Sequence, residues 1–351
     1  MHSAPSKLEN NGIDALYRKN TVKSVGFLIG LSVLLLVAVL LSLCAGSYKT
    51  PVMELVKGVF GISGDKKINL IVQNNRLPRI LTAVLAGGGL GLAGCVLQAV
   101  LRNPLASAST LGVSQGATFG AAFAIVVLGL GSTAGFGISL CAFLGSVAVA
   151  VVILGLSKFR QVSPEGIVLA GVAISSMFTG ATTLIQYFAD EVQLSTLVFW
   201  TFGDLGSTGW KDLGGMAAMV AVLCVYCILH RWDYNALLSG EETAVSLGIN
   251  VKRLTLVGMV LCCLCSSVIV SNVGLISFIG LVAPHIVRMV VGNNHVYLIP
   301  GSVLGGATLL LLGDLFARTV ISPVILPIGA ITSFLGGPLF LYLLFKGGHK
   351  Q

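Results

Sequence analysis

The chain has 351 residues, 55% of them hydrophobic and only 10% charged, and its mean hydropathy is +0.96. A water-soluble core cannot bury that much apolar surface, so lipid must solvate most of it. The formal charge of +8 would suit a nucleic-acid binder, but the cations stand at the ends of apolar runs rather than in a basic stripe; that excludes nucleic acid and makes them reporters of topology.

The predicted fold is all-α, a polytopic membrane protein of about ten transmembrane helices, because a hydrocarbon slab needs ~20 apolar residues per crossing. The first run, Val25 to Cys44, follows Lys7, Arg18, Lys19 and Lys23 in the manner of a secretory signal. It is as long as a full span, however, and Cys44-Ala45-Gly46-Ser47 is a poor cleavage site. Residues 1–23 therefore read as a cytoplasmic amino-terminal segment, and residues 24–347 as a single transmembrane domain. Crossings are expected at 24–44, 79–99, 111–131, 136–157, 165–188, 213–230, 254–273, 275–291, 298–313 and 325–345. Gly87, Gly88, Gly89, Gly91 and Gly94 read as packing surfaces, since helices in lipid gain by close backbone approach. Gly171 and Gly180, with Ser175 and Ser176, mark the fifth span as either a dimer seam or a pathway wall. Gly274, Gly280, Pro284 and Gly292 interrupt the eighth and ninth crossings. The spans after the first form two sets of four, 79–188 and 254–345, entering from opposite sides, the pattern of inverted-repeat transporters.

Placing the amino terminus inside puts thirteen Lys and Arg residues on the cytoplasmic side and eight outside, which the positive-inside bias favours and which returns both termini to the cytoplasm. Arg76, Arg79 and Arg318 are the exceptions: they sit beside outer helix ends, where something acidic would hold them. Snorkelling at the headgroups is the plainer alternative. The spans are nearly free of ionisable groups, with Glu165 and Asp314 at their edges, which disfavours a proton-coupled carrier. No G-x-x-x-x-G-K-[ST] phosphate loop is present, so energy would have to come from a separate ATPase.

The longest inner loop contains Ser239-Gly240-Glu241-Glu242-Thr243-Ala244-Val245-Ser246-Leu247-Gly248. Ser239 and Glu242 have capping-box spacing, the two glutamates favour a helix start, and Gly248 can close the end in the left-handed region. A short helix so well bounded reads either as a docking element or as an ordinary loop helix. Pro104 ends the helix before it and stiffens the turn Asn103-Pro104-Leu105, while Ser163 stands before the helix-start pair Pro164-Glu165. His285, after Pro284 and near Arg288, suits a structural hydrogen bond rather than metal ligation. The eight cysteines fall in or beside apolar runs as small hydrophobes, so no metal site is expected. The outer loop after the fifth span, with Phe199, Trp200, Phe202 and Trp210, is either an interfacial aromatic belt or a substrate entrance.

These segments together resemble the FecCD-type permeases of type II ABC importers, which serve iron siderophores, haem and cobalamin. The resemblance runs in order from about residue 24 to 347. It includes Arg76-Leu77-Pro78-Arg79, Gln98, Arg102-Asn103-Pro104-Leu105-Ala106 and Leu111-Gly112-Val113-Ser114-Gln115-Gly116-Ala117 in the first half. In the second half it includes Phe278-Ile279-Gly280-Leu281-Val282-Ala283-Pro284-His285-Ile286-Val287-Arg288, Leu326-Pro327-Ile328-Gly329 and Leu335-Gly336-Gly337-Pro338. It implies an ABC permease bundle with no bond chemistry of its own. The partners it implies are a second permease subunit (identical or homologous), two ATPase subunits, an external substrate-binding protein and the lipid of an inner membrane. This chain would bind no cofactor, and ATP and Mg would sit on the ATPase. By the same resemblance Arg76, Arg79 and Arg318 dock the binding protein. Glu241, Glu242, Ala244, Leu247 and Gly248 couple to the ATPase, and Asn103, Pro104, Leu105 and Ser163 form the cytoplasmic gate. Alternating access would move a ferric siderophore, haem or cobalamin; an ion-coupled secondary transporter is the alternative, which the empty spans disfavour.

Overall fold

The computed structural model describes residues 7–46, 50–131, 133–158 and 163–347. Ser47, Lys49, Arg160 and Lys350, which enter the cleavage-site and topology readings, lie outside the described residues. Helix α1 (Lys7–Cys44) is followed by two short helices, α2 (Val52–Val59) and α3 (Lys66–Ile71), and a π-helical turn, Val72–Arg76, that leads into α4 (Leu77–Val100). Helix α5 (Val113–Ala122) ends in a second π turn, Phe123–Val127, before α6 (Gly135–Lys158), α7 (Pro164–Tyr187), α8 (Glu191–Phe202) and α9 (Trp210–Leu229). Two short helices, α10 (Arg231–Leu238) and α11 (Glu241–Ser246), precede α12 (Val251–Val273), α13 (Ile279–Val291), α14 (His295–Thr319) and α15 (Ile328–Gly347).

Among the described residues, seven helices are long and apolar enough to cross a membrane, and three shorter apolar ones, Val113–Val127, Ile279–Val291 and Ile328–Leu343, fall at the remaining predicted crossings. Several boundaries differ from expectation by a few residues, and two of them have a clear local cause. Gly274 leaves the helix at φ 75°, and Phe278 is itself left-handed at φ 66°, so α13 starts at Ile279 rather than at 275. Helix α14 runs to Thr319 rather than stopping at 313, because Asp314 and Arg318 face each other one turn apart and neutralise each other. Helix α1 is continuous across position 23.

The centre of the bundle is α4, buried along almost its whole length. A methyl group on Gly87 or Gly91 would strike the carbonyl oxygen of Gly306 or Ser302 on α14, and one on Gly94 would strike that of Gly280 on α13. Helix α6 meets α5 in the same way, through Gly116 and Gly145. Without a hydrophobic drive inside lipid, such backbone approach supplies the van der Waals attraction that holds helices together.

The two sets of four match element for element. Helices α4 to α7 and α12 to α15 each run long, short, long, long, and each short member follows a left-handed residue, Gly112 at φ 88° or Phe278 at φ 66°. Their packing is reciprocal as well. The first helix of one set lies on the third of the other, α4 on α14 and α12 on α6, while α4 and α12 meet between them. A single crossing, α9, separates the sets and reverses the direction of the second.

Candidate functional site

Helix α4 joins two polar clusters. Its first turn lies in an arginine cluster at the end that the cation count makes the outer one, and its last turn leads to the Arg102–Leu105 turn at the other end.

At the outer end Arg76, Arg79 and Arg318 are brought together, but not as exposed cations. Arg76 is 8% exposed, and the Arg79 and Arg318 side chains are 13% and 11% exposed. Their acid lies within the chain. Asp314, fully buried, accepts from Nε of Arg79 on Oδ1 at 2.9 Å and from Nε of Arg318 on Oδ2 at 2.9 Å. Asp204 adds a looser contact to Arg79 at 3.7 Å. The rest of the demand is met by the end of α1, whose last carbonyls have no helical partners. Arg76 donates to the Leu43 carbonyl at 2.6 Å, and Arg318 to the Ala45 carbonyl at 3.2 Å and to the Ser42 hydroxyl. The expectation of exposed guanidinium groups facing an external acid is thus corrected: the cluster ties α1, α4 and α14 to one another. The signal for it was in the sequence, because Asp314 stands four residues before Arg318 on one helix face.

At the other end, the Asn103 side chain accepts from the backbone N–H of Leu105 at 2.9 Å, and Thr110 donates to the Leu105 carbonyl at 3.1 Å. Together with the proline between them, these bonds make a stiff turn that presents Leu105, 41% exposed. The residue before the turn, Arg102, is held at φ 46°, a strained angle for a side-chain-bearing residue, and its guanidinium reaches Glu241 of α11 at 3.3 Å. Ser163 is exposed and caps α7, accepting from the Gly166 N–H at 3.2 Å. The structure gathers Asn103, Pro104 and Leu105 in one turn, with no hydrogen bond between them and Ser163 among the described residues.

The short acidic helix exists but is shorter than the predicted 239–248, and its start is corrected. Ser239 closes α10 with φ −81° and ψ 1°, so it cannot be the extended capping residue; Gly240, at φ 109°, makes the turn and leads α11 without any side-chain cap. The end follows expectation. Gly248 is left-handed at φ 83°, its N–H bonds to the Val245 carbonyl at 2.9 Å, and that of Ile249 bonds to the Ala244 carbonyl at 3.1 Å. Ala244 alone roots the helix, fully buried against Leu237 and Val251. Glu241, Glu242, Val245, Leu247 and Gly248 are all exposed.

Elsewhere, His285 is part-buried, its ring packed edge-on to Phe340 and its Nδ1 without a protein partner. No three His, Cys, Asp or Glu side chains converge as metal ligands among the described residues, and the eight cysteines are free thiols. The aromatic loop contains α8, begun by a reciprocal capping box between Asp190 and Gln193 that could have been read from their spacing. Trp210 anchors the loop by donating to the Gln73 carbonyl at 3.0 Å.

A bundle of about ten apolar helices in inverted halves, with a short exposed helix on the loop between them, is the architecture of a transport permease. The FecCD transport family matches residues 34–346, so this chain belongs to that family. It is 49% identical over 94% of its length to an ABC transporter permease protein of Methanocaldococcus jannaschii, of which 97% is covered. It is 38% identical to the vitamin B12 import system permease protein BtuC of Escherichia coli, across 95% of this chain and 99% of that one. It is 37% identical to the hemin transport system permease protein HmuU of Yersinia pestis, across 78% and 82%. A solved metal-chelate type ABC transporter in an inward-facing conformation superposes with a TM-score of 0.81 at 31% identity, covering 92% of this chain and 99% of that chain. The chain is therefore a multi-pass membrane permease subunit of an ABC transporter and not an enzyme; separate subunits hydrolyse the ATP.

Proposed function

We propose that this subunit imports a metal chelate or related macrocycle, a ferric siderophore, haem or cobalamin, by alternating access. The observation that carries the reading is α11: a short helix closed at its end by Gly248 and rooted by one buried alanine, offering two carboxylates and the apolar Val245 and Leu247 to a partner. Two ATPase subunits dock there, with ATP and Mg2+ bound on them, and both termini lie on their side of the membrane. A second permease subunit, identical or homologous, completes the conduit. Ser176, Thr179, Gly180 and Thr183 form an exposed stripe of small residues along α7, which supports a seam or pathway wall on that face.

The Arg102–Glu241 contact gives the ATPase a route to the gate, where Leu105 and its copy across the dimer axis close the path alongside Ser163. An external substrate-binding protein docks over the arginine cluster. Since Arg76, Arg79 and Arg318 are mostly buried, their contribution is to fix that surface and to present guanidinium edges to carboxylates above. Charge reversal at Arg76 or Arg318 then weakens capture of the permease by its binding protein, and unchanged capture by a folded variant removes docking from the reading.

The deciding experiment is reconstitution in liposomes with the co-purified ATPase and binding protein. Cargo accumulates only with ATP, and gradient-driven flux without nucleotide overturns the proposal. Thermal-shift screening of the binding protein against ferric siderophores, haem and cobalamin identifies the cargo.

A further inference from the structure

Beside the amino-terminal part of α1 lies an open cavity of about 430 Å³, lined on its other sides by the end of α13 and the start of α14. Lys23 and Arg288 provide its charge, and Thr21, Ser24, Asn293 and Tyr297 provide hydrogen-bonding groups. No aspartate or glutamate lines it, and neither cation has a carboxylate within 4.0 Å among the described residues. This sets Arg288 apart from Arg79, Arg102 and Arg318, each of which has an internal acid. The attraction rests on side chains: the first N–H groups of α14 are already taken, His295 by Asn235 and Val296 by Asn294.

Depth selects the ligand. Lys23 stands where α1 changes from its cationic lead to the apolar run that begins at Val25, and Arg288 is in the last turn of the apolar helix α13. Cations at that junction lie level with phospholipid phosphates. Val22, Val25 and Ile29 on α1 are 64%, 41% and 60% exposed, so an acyl chain can descend along the same helix from the cavity. We propose that this cavity binds the phosphate of an anionic phospholipid in the leaflet on the amino-terminal side, gripped by Arg288 and Lys23.

The test is native mass spectrometry of the full-length chain in mild detergent, titrated separately with phosphatidylglycerol, phosphatidylcholine and inorganic phosphate. Expected is one phosphatidylglycerol per chain, retained about tenfold or more above phosphatidylcholine, with that preference lost in Arg288→Gln and restored in part by Arg288→Lys. Lys23→Gln, at an exposed site, reduces retention without touching the fold and serves if Arg288→Gln is unstable. Equal retention of both lipids, or retention indifferent to Lys23 and Arg288, overturns the proposal. Full displacement by inorganic phosphate overturns the lipid as the source of the phosphate, and loss of ATPase association in place of lipid reassigns the cavity to a protein partner.

Discussion

Asp314 serves two guanidinium groups with one carboxylate in a place water does not reach. Removing that charge strands two buried cations, a far larger loss than breaking a surface pair. Asp314→Asn is expected to destabilise the chain by about 3–5 kcal/mol, read from denaturant unfolding in detergent. The Arg102–Glu241 pair behaves oppositely. Its side chains are 41% and 55% exposed, so Arg102→Glu costs the fold about 1 kcal/mol or less. If the pair carries motion from α11 to the gate turn, the same substitution lowers ATP hydrolysis stimulated by loaded binding protein severalfold, and the swap with Glu241→Arg recovers it. Counting cations along the sequence located all three outer arginines, but not their partners. Sequence distance hid the contact of Arg79 with Asp314, and nothing local signals that the end of α1 folds back over Arg76.

At the scale of elements, glycine positions that look alike in sequence differ in consequence. Gly94→Ala drives a methyl into the Gly280 carbonyl and is expected to cost about 1–3 kcal/mol, whereas Gly214→Ala on α9 meets nothing within 4 Å and leaves unfolding unchanged. Comparing the two variants in one unfolding assay checks this directly. Gly248→Ala forces a side chain into the left-handed region at a cost of about 1–2 kcal/mol, unravelling the end of α11 and lowering the ATPase recovered on co-purification. The apolar spans were legible because apolar length in lipid admits few alternatives. Helices α2, α3 and α8 were not: they are too short for a spanning pattern, and α8 was announced only by its capping box. Ser239 failed as a cap for a conformational reason, since the chain reverses between α10 and α11 and only Gly240 supplies the required positive φ.

For the molecule as a whole, orientation makes the simplest test. With its native cysteines replaced, a single cysteine at position 247 is expected to react with an impermeant maleimide only from the amino-terminal side, and one at position 57 only from the opposite side; the reverse pattern inverts the topology and detaches α11 from any ATPase. Reciprocal packing of the two halves gives each a counterpart, yet the halves are unequal: α4 is stitched to α14 along several turns by Gly87, Gly91 and Gly306, while the counterpart pair, α12 and α6, has no such glycine contact among the described residues. That stitching leaves evolution little latitude. Substitution along the seam can only add atoms where there is no room for them, while a methyl on Gly180 of α7 meets nothing within 4 Å in the chain itself. A descendant lineage adapted to a different cargo would therefore diverge first along α7 and keep the seam letter for letter.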